Sequence, residues 1–278
     1  MSAPSVPAPP SAGLRERIDS LPSWVGGLAG TMLIGVAWWV ASAVLFQSSG
    51  SVPSPFAVLG LFFSAEEWRN TVAIGTGTLS SAGLGYLWGN LAALALAVAV
   101  LLLPALEQVA TQIAIVTYCV PLVAVGPILV IVAGRDAPQA ASVALAALSV
   151  FFTSVVGALL GLRAAPRASL DLVRAYGGGR WTELRLVQLV AALPNLFAAL
   201  KIAAPAAFLG AVLAEYLGSG GDASIGRALI AASSVGDGPR LWYLALVCGA
   251  LSGAGYLLVG LVARLVTPWS SGQPGSRS

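Results

Sequence analysis

Lys201 and Glu215 are lone charges in an apolar stretch of sequence, fourteen residues apart, and either could do chemistry by virtue of its isolation. The other chemical feature is a cluster. "DLVRAYGGGRWTELRLVQLVAALP" (Asp171–Pro194) carries Asp171, Arg174, Arg180, Glu183 and Arg185 around three successive glycines. Widened to residues 163–194, this window holds seven of the 25 charged residues (14 basic plus 11 acidic). Carboxylates and guanidinium groups gathered at a turn can grip a partner through charge-assisted hydrogen bonds. Much other chemistry is excluded. The chain has no histidine, which removes the usual zinc sites and His-based triads. Its one lysine, Lys201, follows Ala199-Leu200, so there is no Gly-Lys-Ser/Thr loop with which to hydrolyse ATP. Cys119 and Cys248 fall in apolar runs and read as small buried hydrophobes, not as a disulfide.

The elements that must position these residues are membrane helices. Only 9% of the residues are charged, 58% are hydrophobic, and the mean hydropathy is +0.88; an ordinary soluble domain is about one quarter charged. No charge occurs between Asp19 and Glu66, Arg69 and Glu107, Glu107 and Arg135, Asp136 and Arg163, or Arg240 and Arg264. Each gap exceeds the roughly 20 residues that a helix needs to cross the hydrocarbon. The runs are far longer than a barrel strand. The sequence therefore predicts an all-α integral membrane protein with six spans, near Val25–Phe46, Leu79–Leu103, Val109–Ala133, Ala137–Leu162, Asn195–Leu217 and Leu241–Val266. The fifth is the least regular, because it contains Lys201 and Pro205. Residues 1–24 and 268–278 are expected to be disordered tails flanking a membrane domain at 25–267, and the Pro/Ser/Ala-rich start does not resemble a cleavable signal peptide.

Six spans put both ends on one side. With the ends inside, the inner segments hold nine arginines (15, 17, 163, 167, 174, 180, 185, 264 and 277) and the outer segments four (69, 135, 227 and 240). That asymmetry favours cytoplasmic termini and a cytoplasmic loop at residues 163–194. Arginines spread in this way give no sign of nucleic-acid binding.

Within the loop, "ASLDLVRAY" suits a helix capped by Ser169 or Asp171. Gly177–Gly179 must end it, since glycine tolerates positive φ. "RWTELRLVQLVAAL" restarts a helix in which Trp181, Leu184 and Gln188 share a face and Glu183 and Arg185 point elsewhere. Such a helix–turn–helix could rest on anionic lipid headgroups or serve a protein partner. Lipid docking accounts for the arginines; it does not call for Asp171 or the glycine break.

Inside the membrane the readings stay open in pairs. Lys201 either snorkels to an interface or lines a pathway, and Glu215 either shapes an outer gate or sits at headgroup level. Pro121 and Pro127 either expose carbonyls to a cavity or kink a helix for packing. Tyr118, close to Pro121, is a candidate for touching solute. Gly83, Gly85 and Gly89 suit close helix contacts.

The loop resembles the "EAA" loop of ABC-importer permeases, in which Glu-Ala-Ala is followed by three residues, a glycine and a hydrophobic helix ending in Leu-Pro. Asp171-Leu172-Val173 stands at the triplet, Gly177 at the glycine, and Ala192-Leu193-Pro194 at the close. "GGGRW" is similar to the "GASRW" of the nitrate/sulfonate/taurine branch. "VPSPFAVL" (Val52–Leu59), "VPLVAVGP" (Val120–Pro127), "LKIA" (Leu200–Ala203) and "VLAEYLG" (Val212–Gly218) resemble that branch's "LPSPSAVL", "IPPLALLP", "LRIA" and "VVAEMLG" in the same order. Asp for Glu, Leu-Val for Ala-Ala and Pro205 in place of a flexible position are departures.

The resemblance implies a six-helix type I ABC-importer permease fold in the cytoplasmic (inner) membrane, with a coupling helix–turn–helix between spans four and five. It implies that Asp171, Leu172, Val173, Arg174, Gly177, Arg180, Trp181 and Pro194 engage a separate ATPase subunit. That subunit would use the ATP, with no cofactor on this chain. Further implied partners are a second permease subunit, identical or not, and an extracytoplasmic binding protein, with a small solute such as a sulfonate, taurine or nitrate as cargo. Tyr118, Pro121, Pro127, Lys201 and Glu215 are the pathway candidates. Two rivals are a secondary transporter or channel without an ATPase, and an intramembrane enzyme. The first expects an internal repeat, and the second expects catalytic groups that the chain lacks.

Overall fold

The computed structural model describes residues 23–47, 51–134, 137–221 and 223–269; most of both expected tails, and Arg15, Arg17, Arg135 and Arg277, lie outside that set. All regular structure among the described residues is helical. The chain divides into two compact units, residues 1–60 and 61–278.

The first unit is built on α1 (Ser23–Val40), which continues through a π-turn at Ala41–Leu45. Indole Nε1 of Trp38 donates to the Pro53 carbonyl at 3.1 Å and ties the returning chain to α1. Ser54 then accepts from the Ala57 amide and starts α2 (Pro55–Phe62), which runs across the boundary between the units.

The second unit holds α3 (Ala65–Leu102), α4 (Glu107–Cys119), α5 (Leu122–Ala133), α6 (Ala140–Arg163), α7 (Arg167–Ala175), α8 (Arg180–Glu183), α9 (Leu189–Tyr216), α10 (Ile225–Ser234) and α11 (Gly238–Val266). A π-turn at Leu184–Gln188 joins α8 to α9, so helix runs without a break from Arg180 to Tyr216. Among the described residues five helices are long and apolar enough to cross a membrane, and α4 with α5 makes a sixth if that bent pair is one span.

The expected span at Val109–Ala133, with its two prolines, is sharply bent: α4 and α5 meet at 92°. Proline disfavours helical geometry in the residue before it. Val120 accordingly takes ψ 121° and Pro121 takes φ −67°, ψ 113°, ending α4 and restarting the chain as α5. Pro127, by contrast, sits inside α5 without breaking it.

Two other boundaries move. Span two begins at Ala65 and not at Leu79, because Ser64 accepts from the Glu67 amide at 3.4 Å and caps a helix through the charged stretch. The 38 residues of α3 then reach about 57 Å, well beyond the hydrocarbon. The fifth span passes through both Pro194 and Pro205; helices that pack within membranes absorb prolines in this way.

Packing of α3, α6 and α9 rests on small residues. A β-carbon at Gly85 would lie 2.3 Å from that of Ala146, and one at Gly89 would lie 2.4 Å from Val150 Cγ2, which closes α3 on α6. Gly157 against Ala199 and Gly210 against Ser149 close α6 on α9 in the same way. Gly83 has nothing within 4 Å, so only two of the three glycines singled out in this helix serve close contact. Within the α3–α6 seam, Ser154 donates to Asn90 Oδ1 at 2.5 Å and Asn90 donates to the Tyr86 carbonyl at 2.7 Å. At the ends, Arg163 pairs with Glu107, and Arg240 reaches Glu67 at 3.5 Å.

Close approach at Gly89 makes a clear expectation. Gly89→Ala should lower the unfolding midpoint in detergent, at a cost of about 1–3 kcal/mol from overpacking. Gly83→Ala should match or slightly exceed the parent. Tryptophan-fluorescence melts measure both, and equal losses at the two positions would refute the seam.

Candidate functional site

The charged loop is a compact knob on the end of α9. Its first helix, α7, begins at Arg167 behind Pro166 with no side-chain cap, so Ser169 and Asp171 lie inside it and do not cap it. It ends in a Schellman motif: the Gly178 amide donates to the Val173 carbonyl and the Gly177 amide to the Arg174 carbonyl, both at 2.9 Å. Gly177 has φ +78°, the left-handed conformation that glycine adopts most cheaply. Gly178 is required for space, since a β-carbon there would lie 2.4 Å from Val173 Cγ1.

Across this turn Arg174 makes a two-pronged bond to Glu183, Nε to Oε1 at 2.7 Å and Nη2 to Oε2 at 3.2 Å. Asp171 stands 3.7 Å from Arg174 Nη1. The Glu183 carboxylate raises the Arg174 pKa above its ordinary value, chiefly through the hydrogen bond. Glu183, expected off the face of Trp181, is 7% exposed and clamps α7 to α8. A glutamate nine residues past an arginine, with a glycine turn between, is the sequence signal that could have revealed it.

The knob is rooted by Leu184, buried among Ala97, Ala158, Leu162 and Ala192. Trp181 is 63% exposed, Leu184 is buried and Gln188 is half-buried, so the face that these three residues span is not buried as a unit. Leu172, Tyr176, Trp181 and the charges of Asp171 and Arg180 are all exposed, while Val173 is half-buried. Thus seven of the eight loop candidates gather at the turn, and Pro194 lies apart within α9. This surface can bind and hold; it has no group arranged for catalysis.

The intramembrane candidates separate into three places. Glu215, near the end of α9, is 1% exposed, its side chain enclosed by the surrounding helices. Its Oε2 accepts from Thr78 Oγ1 on α3 at 2.8 Å and from the Gly226 amide in the first turn of α10 at 3.1 Å. The Ile225 amide in turn donates to Thr78 Oγ1 at 3.1 Å. Glu215 is therefore a tie among α3, α9 and α10, and nothing in the sequence near it pointed to Thr78, 137 residues away.

Lys201 lies two thirds of a membrane thickness from Glu215, about 21 Å along α9. Its Nζ sits 4.2 Å from the centroid of Tyr256, and its Cε would be 3.0 Å from a β-carbon at Gly260. It therefore lies along α11, over an aromatic face. Tyr118 and Pro121 meet at the α4–α5 break, where Tyr118 stacks on Phe152 at 4.5 Å; Pro127 is further along α5.

The Glu215 tie is testable apart from any transport assay. Glu215→Ala strands the Thr78 hydroxyl and the Gly226 amide, at about 1–3 kcal/mol for each buried group left unpaired. Glu215→Gln keeps an acceptor. Thermal melts should show a large loss for Ala and a small one for Gln; matching losses would dismiss the hydrogen-bond account.

Similar proteins place this geometry. Residues 89–271 match the family described as binding-protein-dependent transport system inner membrane component. Over 250 residues the chain is 28% identical to the riboflavin transport system permease protein RibX of Chloroflexus aurantiacus, covering 88% of this chain and 90% of that protein. It is 31% identical to a probable ABC transporter permease protein of Haemophilus influenzae, over 60% of this chain and 66% of that one. It is 28% identical to a putative aliphatic sulfonates transport permease protein, SsuC, of Bacillus subtilis, over 70% of each. The fold resembles a crystal structure of an amino acid ABC transporter with histidines, with a TM-score of 0.60 and 16% identity, covering 73% of this chain and 97% of that one. Such permeases are not enzymes, and ATP is hydrolysed on a separate subunit. With the match covering well over half its length, the chain belongs to the family of binding-protein-dependent transport system inner membrane components, the multi-pass permease subunits of ABC transporters.

Proposed function

We propose that this permease subunit serves an importer and that the α7–glycine turn–α8 knob is its coupling element. The observation that carries the proposal is the knob's construction: a Schellman turn and a two-pronged ion pair make it stiff, and Leu184 roots it in the bundle. A rigid body joined to the continuous helix Arg180–Tyr216 can pass a push from outside the membrane to its interior. Its exposed Leu172, Tyr176, Trp181, Asp171 and Arg180 suit a cleft with both apolar and charged walls. The partner is an ATPase subunit that binds the ATP, and this chain carries no cofactor of its own.

In this reading α4 and α5 together count as the third crossing, which gives six spans and cytoplasmic termini in accord with nine inner arginines against four outer ones. Two permease subunits, identical or different, surround the pathway. A binding protein outside the membrane delivers the solute, and anionic lipid borders the basic loop. The cargo is a small solute. The family resemblance points to sulfonate-, taurine- or nitrate-like anions, while the named relatives include both a riboflavin and an aliphatic-sulfonate permease.

The test is capture of tagged chain from gently solubilised membranes, followed by identification of retained subunits and assay of their ATPase activity. An ATPase should be retained with the parent and lost with Asp171→Arg; a chain that purifies without any ATPase contradicts the reading. Gly177→Val forces a β-branched residue into left-handed backbone, at a cost on the order of 1–2 kcal/mol. ATP-driven uptake should fall at least tenfold while membrane insertion is unchanged. Uptake at the parental rate would remove the turn from the mechanism.

A further inference from the structure

Lys201 and Arg264 come together where α9 and α11 pack side by side. On α11 no charge separates Arg240 from Arg264. That run is about 36 Å of helix, one crossing of a hydrocarbon core about 30 Å thick, so Arg264 marks the edge at which α11 leaves the membrane. Gly260 lies one turn inside that edge, and a β-carbon there would be 3.0 Å from Lys201 Cε and 3.4 Å from its Nζ. The glycine is thus a notch filled by the lysine stem, with the ammonium 4.2 Å from the Tyr256 ring centroid. Positions 260 and 264 share a face, and helical side chains lean toward the N-terminal turn, which carries Arg264 toward Lys201. Among the described residues neither cation makes an ion pair with a carboxylate. Like charges brought together at the edge of a low-dielectric medium call for an anion between them.

Beside that spot an uncharged groove of about 290 Å³ runs along the same two helices. Its walls are Pro205, Phe208 and Val212 on α9 and Cys248, Gly249 and Ser252 on α11. Lys201, Pro205, Phe208 and Val212 fall on one helix face, as do Gly249, Ser252, Tyr256 and Gly260, so the cations and the groove belong to one seam. A β-carbon at Gly249 would meet nothing within 4 Å, which leaves the far end of the groove open. From Gly260 to Gly249 the helix rises about 16 Å, the depth of one leaflet.

We propose that this seam holds one acidic phospholipid, its phosphate between Lys201 and Arg264 and an acyl chain along the groove. The chain reaches α11 from the far side of the membrane, so the Arg264 end lies on the side of the charged knob, and the lipid belongs to that leaflet. Charge, polarity and length all fit this occupant. A phosphodiester supplies the anion that the two cations face, and the groove offers an acyl chain an apolar wall as deep as one leaflet. A zwitterionic lipid brings an ammonium that Lys201 and Arg264 repel. Free phosphate offers the same chemistry to the cations and gains nothing from the groove. The site is independent of what the permease carries.

Native mass spectrometry tests it, on the chain with its co-purified subunits, loaded with an equimolar mixture of phosphatidylglycerol and phosphatidylcholine of matched chains. The parent should retain phosphatidylglycerol preferentially. That preference should fall about fivefold with Lys201→Gln or Arg264→Gln and about 25-fold with both, on the scale of one basic residue at an anionic surface for each factor. Arg264→Lys should keep it. Arg264 is exposed, so its substitution bears on the site without disturbing the bundle. Gly249→Leu should weaken retention of the long-chain lipid and leave a short-chain phosphatidylglycerol unaffected. Equal retention of the two lipids by the parent, or a preference indifferent to the double substitution, overturns the proposal. Displacement of phosphatidylglycerol by inorganic phosphate also overturns it, because the cations would then serve a soluble anion. A Ser252→Cys variant that cross-links two copies in native membranes does the same, because a second subunit would then fill the groove.

Discussion

The two-pronged pairing of Arg174 with Glu183 is the joint that holds the charged knob of this permease together. Without it α7 would be a nine-residue helix held to the bundle by a glycine turn, too short to be stable by itself. With it, α7 and α8 become one body. Glu183 is buried and charged, a state that water would otherwise resist, and the bidentate guanidinium is what makes that burial tolerable. The same pair fixes which side chains face outward. Leu172, Tyr176 and Trp181 are presented because Leu184 and Glu183 are turned in.

Behind the joint, lipid imposes a second constraint. A membrane interior offers no hydrogen bonds to stray polar groups, and apolar side chains gain nothing by hiding from it. Helices here are held by close approach and by a few satisfied polar ties. Gly85 and Gly89 bring α3 onto α6, and Gly157 and Gly210 bring α6 onto α9. Asn90–Ser154 and Thr78–Glu215 are the polar ties within that bundle. A displacement of the knob would enter the continuous helix Arg180–Tyr216 at Arg180 and arrive at Glu215, where α10 is attached.

Much of this was legible in the sequence because lipid leaves so strong a mark on composition. Charge-free runs located the membrane segments, and three glycines after a charged helix located the turn, whose Gly177 does take a positive φ. Contacts between distant residues left no such mark. Thr78 meets Glu215 across 137 positions, and Arg174 meets Glu183 only because the turn folds back. Proline was the hardest residue to read: Pro205 marked the fifth span as the least regular, yet that helix stays continuous, whereas at Pro121, read as exposing carbonyls or kinking a helix, the chain turns by 92°. What separates the two is the surrounding packing. The half-buried Pro205 lies in a helix packed on α3, α6 and α11, whereas Pro121 is exposed and its neighbourhood is free to bend.

The central claim, that Arg174 and Glu183 make α7 and α8 a single rigid element, is tested most directly by amide hydrogen exchange on the full chain with its ATPase removed. Parent and Glu183→Gln should be compared across residues 167–185. The substitution keeps the side chain's shape and removes its charge. Exchange through α7 is expected to accelerate toward that of a frayed peptide, while α9 beyond Leu189 keeps its parental protection. Unchanged protection of α7 in Glu183→Gln would contradict the claim and show that the turn alone holds the knob.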